Sequence, residues 1–413
     1  MKPLTSILAI GLLLAGVASA AAQTSVNTSV GGSFASFTEG TTTSTRRQDV
    51  AATAGFEHLF NDERGRVYYD LDGGTFDSPG DWSYYLNTAG FTYRFGSEDT
   101  GARRLYLNGS FVVRKNGDAW AAADYSALGG GLNGEFHPKA KVTLRTGYRA
   151  DYRSFSDMSA LTQFEQRGFA SALANFETKT TLVAEVNLGA KLYDGKVLLD
   201  PIIVPTPETA PETTTGTATG TTHGRGMGMG PALRSSTTWY LPQAQNQSGT
   251  AGLLSGLFRA AQSLSDRTGV HGQVAFRTTF GAVPPALVTT PAGFFDDGVY
   301  DDPFASDAVS GQTGLTRAFA SGAQIEAMVN YADRRYTSTP ALDASGAELP
   351  GSPLRHDRVW RGALVWSQPI LGSRTGRAEL SLDLGYRLLA SQSNDAFYDY
   401  TSHGFALGFS VHY

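Results

Sequence analysis

Through most of this chain apolar and polar residues alternate with a period of two, and the alternating runs are long. In AKVTLRTGYRADYRSF, the residues Val142, Leu144, Thr146, Tyr148, Ala150 and Tyr152 share one face, while Arg145, Arg149, Asp151 and Arg153 share the other. TKTTLVAEVNLGAKLYDG sets Leu182, Val186, Leu188 and Leu192 against Glu185 and Lys191. GRAELSLDLGYRLLA sets Leu380, Leu382, Leu384 and Leu388 against Arg377, Glu379, Asp383 and Arg387. Successive side chains of an extended strand point to opposite sides, so each run is a strand with one apolar face and one fully charged face. Strands of soluble sheets average about 5–6 residues, whereas a tilted strand needs about 9–11 to cross a bilayer. These runs have the bilayer length.

The connections give an independent reading. Strands are predicted near 24–37, 48–60, 66–75, 83–95, 103–114, 124–136, 140–154, 164–175, 179–193, 252–263, 270–281, 311–319, 323–336, 356–370, 377–390 and 399–413. Short polar turns (NDERG, GSEDTG, HPK, NFET, SDRTG, ASG, LGSRTG) alternate with longer loops, the longest at 194–251 and 282–310. A transmembrane barrel alternates short periplasmic turns with longer external loops in this way, and it has an even strand number. The expected fold is therefore all-β: a transmembrane antiparallel β-barrel of about sixteen strands, with fourteen to eighteen as the range and both termini on the periplasmic side. The least regular segments are 24–37, which Gly31-Gly32 interrupts, and the short 311–319. Closure matters because hydrocarbon offers the backbone no hydrogen-bond partner.

The N-terminus agrees with export. Lys2, an apolar run from Leu8 to Val17 and the small residues Ala18 to Ala22 form the three parts of a secretory signal peptide, so 1–22 is expected to be cleaved and 23–413 to form the barrel. No later segment reaches the roughly 18–20 uninterrupted apolar residues of a spanning helix. The chain has no cysteine, which excludes disulfides and thiol chemistry, and its formal net charge of -5 gives no global basic surface for nucleic acid.

The sequence ends in SHGFALGFSVHY, where Phe405, Leu407, Phe409, Val411 and Tyr413 occupy every second position. Together with the signal peptide and the period-two strands, this resembles the outer-membrane β-barrel proteins of Gram-negative bacteria, in particular porin-like barrels. The resemblance implies residence in the cell outer membrane among lipid and lipopolysaccharide. It also implies that these five residues of the terminal strand are the signal read by the barrel-insertion machinery.

Strand parity predicts which charges face the lumen: Arg66, Asp70, Arg94, Arg104, Arg114, Glu135, Arg145, Arg149, Asp151, Arg153, Glu185, Lys191, Arg277, Glu326, Arg361, Arg377, Glu379, Asp383 and Arg387. An Arg facing lipid at mid-bilayer would cost about 2–4 kcal/mol, so this many charges belong inside. Rows of Arg attract anions, and Arg paired with carboxylates brace a wall; a mixed lumen with a modest Arg excess combines the two. The expected function is passive, porin-like diffusion of small hydrophilic solutes with weak anion preference. A barrel for export or surface assembly of polysaccharide or another surface molecule, or a surface-binding barrel with a closed lumen, is the alternative.

Asp296, Asp297, Asp301 and Asp302 gather oxygen donors in the 282–310 loop, but without the spacing of a calcium loop; solvated charge is the preferred reading. His58, His137, His223, His271, His356, His403 and His412 match no metal-ligand or nucleophile motif. No enzyme and no cofactor are expected. The Thr/Pro/Gly-rich stretch 201–250 has too few apolar anchors to order itself and is read as an external loop.

Overall fold

The computed structural model describes residues 24–39, 42–60, 64–77, 83–96, 103–117, 121, 124–156, 162–193, 202–203, 238–239, 249–281, 303–343, 347–372, 379–396 and 398–412. The signal-peptide segment, most of the 194–251 loop, the residues Asp296, Asp297, Asp301, Asp302 and Arg377, and Tyr413 lie outside them, as do the side chains of Glu379 and Val411.

In chain order the strands are β1 (Thr24–Glu39), β2 (Thr42–Phe60), β3 (Gly65–Asp77), β4 (Tyr84–Phe95), β5 (Arg104–Asn116), β6 (Tyr125–Lys139), β7 (Val142–Phe155), β8 (Gln163–Asn175) and β9 (Thr180–Tyr193). A two-residue ribbon follows, β10 (Ile202–Ile203) with β11 (Thr238–Trp239). Then come β12 (Thr250–Ser265), β13 (Thr268–Gly281), β14 (Ser306–Ala318), β15 (Gln324–Pro340), β16 (Leu354–Gly372), β17 (Glu379–Ser393) and β18 (Tyr400–His412). Apart from the ribbon, every strand pairs antiparallel with its sequence neighbour, β9 pairs with β12, and β1 pairs with β18. The result is one closed barrel of sixteen strands. Closure leaves no sheet edge, so the wall satisfies its own backbone groups.

Several boundaries differ from the sequence reading for identifiable reasons. β2 starts at Thr42 rather than near 48, because Thr42 to Gln48 continue the ladder with β1. β14 starts at Ser306 rather than 311, held by pairing of Ser306 with Tyr336 and Asp307 with Arg335. His137, Pro138 and Lys139, read as a turn, belong to β6, and the chain reverses at Ala140 and Lys141. The Gly31-Gly32 irregularity is a register shift between Gly31 and Ser33 where β1 meets β2.

The two faces of the wall are chemically distinct. Leu105, Leu107 and Phe111 on β5, Leu128, Leu132 and Phe136 on β6, Val186, Leu188 and Leu192 on β9, and Phe405, Leu407 and Phe409 on β18 are all exposed and fall on alternate positions. The opposite face is the inner one. It carries the charged row Arg145, Arg149, Asp151 and Arg153 of β7, which hydrocarbon would penalise by about 2–4 kcal/mol for each mid-bilayer arginine. An exposed apolar outer belt on a closed barrel is the surface a bilayer covers. Among the described residues no helix is long and apolar enough to cross a membrane.

Candidate functional site: the inner wall and the mouth of the barrel

The inner face of β5 to β8 carries a ladder of arginines, each held by its neighbours. At the rung nearest the β6–β7 turn, Glu135 stands opposite Arg104 on one side and Arg145 on the other. Its carboxylate accepts from Arg145 Nε at 2.8 Å and Arg104 Nη1 at 3.3 Å and contacts His137 Nε2 at 2.9 Å. Glu135 is buried while Arg145 is half exposed, so the carboxylate lies in the wall and the guanidinium reaches inward. One rung up, Arg149 donates from Nε and Nη2 to Asp151 at 2.7 and 2.8 Å, a bidentate pair that fixes the guanidinium plane. Arg167 of β8 is opposite Arg149 and is itself paired with Glu165. The top rung is Arg153, whose guanidinium lies 4.7 Å from the centre of the Tyr125 ring.

The glycines of β6 make this possible. A Cβ on Gly129 would fall 2.2 Å from Asp151 Oδ1, so the Gly129-Gly130-Gly131 run leaves room for side chains of β7 to lie across β6. Arg145 to Arg153 covers eight residues, or about 27 Å at a rise of about 3.4 Å per residue. With a strand tilt of about 40° the ladder spans about 21 Å of the roughly 30 Å hydrocarbon depth.

The other residues named from parity whose side chains are described share this face. Arg66 pairs with Glu57 at 2.8 Å, and Arg114 lies 4.8 Å from the Tyr84 ring and donates Nε to Asn116. Glu185 accepts from Asn187 Nδ2 at 2.9 Å, Arg277 donates to Ser306 O and Oγ, and Asp383 accepts from the Ser367 and Ser410 hydroxyls. Asp70, Arg94, Glu326, Arg361 and Arg387 share the parity of these residues on β3, β4, β15, β16 and β17. Tyr84 is turned inward, where its hydroxyl donates to Asp72.

Among the described residues, two buried clusters lie at the end opposite the short turns. A 3₁₀ turn, Pro303–Ala305, precedes β14 and puts Phe304 against Ala251 and Leu253 of β12, with Tyr193 of β9 beside them. Phe304 is fully buried, and Lys191 Nζ and the Arg167 guanidinium lie 5.4 and 5.5 Å from its ring centre. Next to it Ala305 packs on Tyr336. That tyrosine is one wall of a second cluster: the buried Arg355 guanidinium sits 4.3 Å from the Tyr336 ring centre and 3.1 Å from that of Tyr398. Arg355 donates Nε to both oxygens of the buried Asp357 at 3.0 Å, and Ser393 Oγ donates to the same carboxylate at 2.7 Å.

Two loops dock over this cluster. Leu342 N donates to Asp395 Oδ2 at 3.2 Å and Ala396 N donates to Leu342 O at 3.0 Å, joining the β15–β16 and β17–β18 connections. Burial pushes the Tyr398 phenol up to about 12, with Arg355 pulling the other way. Phe304, Arg355, Asp357, Arg167 and Glu165 escaped the sequence reading. The period-two signal for Arg167 and Glu165 was present in QFEQRGFASALAN, whereas nothing local marks Phe304 as a residue that folds inward.

Asp307, from the Asp-rich loop, lies in β14 and accepts from Thr279 N and Oγ1 at 2.6 and 3.1 Å. Among the described residues no group of three or more His, Cys, Asp or Glu could hold a metal ion. His271 has the inner parity of β13 and lies 3.5 Å from Gln312 Nε2.

No protein-family model and no curated protein matches the chain. Among solved structures it is similar to Pseudomonas aeruginosa OpdQ (9% identity, TM-score 0.45, 94% of this chain and 97% of that one). It is similar to Pseudomonas aeruginosa OpdL (10% identity, TM-score 0.44, 95% and 99%). A structure described as a bacterial polysaccharide outer membrane secretin gives 8% identity and a TM-score of 0.43 over 94% and 97%. These likenesses are distant, and the sixteen-stranded barrel rests on the strand pairing of this chain itself.

Proposed function

We propose that this protein is a porin-like channel of the bacterial outer membrane, through which small hydrophilic solutes diffuse with a weak preference for anions. The observation that carries the reading is the ladder Arg145, Arg149 and Arg153 on the inner face of a sixteen-stranded barrel, since barrels of about this size enclose an aqueous channel. Arg145 shares the Glu135 carboxylate with Arg104, Arg149 is held bidentately by Asp151, and Arg153 lies against the Tyr125 ring. A solute anion therefore meets a series of guanidiniums of which Arg145 and Arg149 are half exposed. Such a ladder favours entry without a single deep site from which escape is slow. On this reading 1–22 directs export, and the row Phe405, Leu407, Phe409, Val411 and Tyr413 is what the insertion machinery engages.

The test is single-channel recording in planar bilayers under a salt gradient. The wild type is expected to conduct with a mildly anion-selective reversal potential, and R145Q/R149Q/R153Q is expected to conduct with that potential moved to the cation side. A wild type that stays silent would refute the channel.

The packed mouth favours a second reading, a barrel whose resting lumen is closed by the Phe304 and Arg355 clusters and which serves export or surface binding. Conductance that appears only after the 303–305 turn is released would support it. Open conductance in the unaltered protein would count against it.

A further inference from the structure

A group of charges lies on the outer face of β15 and β16. On β15 and β16 the outward row contains the cross-strand pair Tyr331 and Trp360, whose ring centres are 4.7 Å apart. Directly beyond it, away from the short turns, come the outward pairs Asp333 opposite Arg358 and Arg335 opposite His356. From Trp360 to Ile370 the outward row of β16 covers about 26 Å along the membrane normal, at about 3.4 Å rise and about 40° tilt, which is the height of an apolar band. The charges therefore begin where that band ends, at headgroup level on the loop side.

The cluster is built around one carboxylate. Asp333 Oδ1 contacts His356 Nε2 at 3.1 Å and Arg335 Nε at 3.5 Å, while Oδ2 contacts Arg358 Nε at 3.8 Å. The nearest approach of each arginine to Asp333 is through Nε and at long range, and their side chains are 74% and 58% exposed. Asp333 thus holds two guanidiniums side by side without satisfying their forks. Asp307, opposite Arg335 on β14, already accepts from Thr279.

We infer that Arg335 and Arg358, positioned by Asp333 above the Tyr331–Trp360 pair, bind the phosphate of an anionic glycolipid in the outer leaflet. The chemistry is that of paired guanidiniums for phosphate oxygens, with the aromatic pair against the start of the acyl chains. Lipid is the source rather than free phosphate because the two arginines share the outward face with the apolar belt, so an anion held there is next to hydrocarbon on its membrane side. The inference rests on the outer-membrane placement proposed above.

The full chain, refolded in phosphatidylcholine nanodiscs, is titrated with diphosphoryl lipid A and, separately, with the same lipid after removal of its phosphates, and bound lipid is read by native mass spectrometry. The wild type is expected to prefer the phosphorylated form, and R335Q/R358Q to bind it about 30-fold more weakly, from about fivefold per lost surface charge. Arg149→Gln, a change that removes a charge from the inner face, is expected to bind like wild type. Equal binding of the two lipids, undiminished binding by R335Q/R358Q, or an equal loss in Arg149→Gln overturns the site. Displacement by a millimolar excess of inorganic phosphate also overturns the lipid assignment. Heat-modifiable gel migration checks that each variant is a closed barrel. A silent wild type in planar bilayers refutes the channel and leaves the lipid measurement standing.

Discussion

The buried pair under the mouth gives the sharpest perturbation. Asp357 and Arg355 are almost fully buried, and Asp357 is the only carboxylate that the described contacts place against the Arg355 guanidinium. Asp357→Asn keeps the shape and removes the charge. Leaving one partner of a buried ion pair uncompensated costs about 3–5 kcal/mol. The Tyr336 and Tyr398 faces remain and offset about 0.5–2 kcal/mol of that. A net loss of about 3 kcal/mol shifts the equilibrium between docked and undocked loops by about 150-fold. The sixteen-strand ladder bears none of that loss, because Arg355 and Asp357 sit at the end of β16 and clamp Tyr398 and Ser393 rather than a mid-wall neighbour. The assay is hydrogen exchange read by mass spectrometry on peptides covering 341–353 and 394–399. Protection at Leu342, Leu349 and Ala396, whose amides donate within and between these loops, should fall by about two orders of magnitude. Peptides from 125–155 should exchange as in the wild type. Unchanged loop protection would refute the clamp, and a uniform loss would show that the pair holds the whole barrel instead.

Three further outcomes follow from the same geometry. The folded protein holds the Tyr398 phenol at about 12, above its ordinary value of about 10, so its contribution to the docked loops is complete below pH 10 and is lost as pH rises from 10 through 12. In an ultraviolet phenolate titration, Tyr398→Phe should remove one tyrosine from the late transition, and loss from the early one would contradict the burial. Glu135→Gln frees Arg104 and Arg145 from their shared carboxylate at less than about 1 kcal/mol of stability for the half-exposed Arg145 pair, and the reversal potential should move further toward anions; a move toward cations would reverse the assignment of that rung. A Cβ on Gly31 would fall 2.7 Å from Leu407 O across the β1–β18 seam, so Gly31→Val should cost about 1–3 kcal/mol and lower the refolded fraction on a heat-modifiability gel, with undiminished yield as the contrary result.

The sequence by itself determined the period and the parity. Alternation in 140–154 and 179–193 dictated extended strands with one apolar face, and parity alone separated Leu144 and Leu188 from Arg145 and Lys191. Turn length dictated the order of hairpins, because adjacent antiparallel strands joined by a few polar residues can only pair with each other. Tertiary structure decided what depends on partners remote in sequence. Pairing with β1 carried β2 back to Thr42, and pairing with β15 carried β14 back to Ser306, since a ladder ends where its partner does rather than where local alternation fades. Which carboxylate holds which arginine depends on register between strands. Phe304 illustrates the limit most plainly: it lies in a loop with no periodicity, and its burial against Ala251, Leu253 and Lys191 follows from a chain that turns inward over a wall assembled from strands before and after it. Periodicity reports the face of a strand, and only closure of the barrel brings distant faces together.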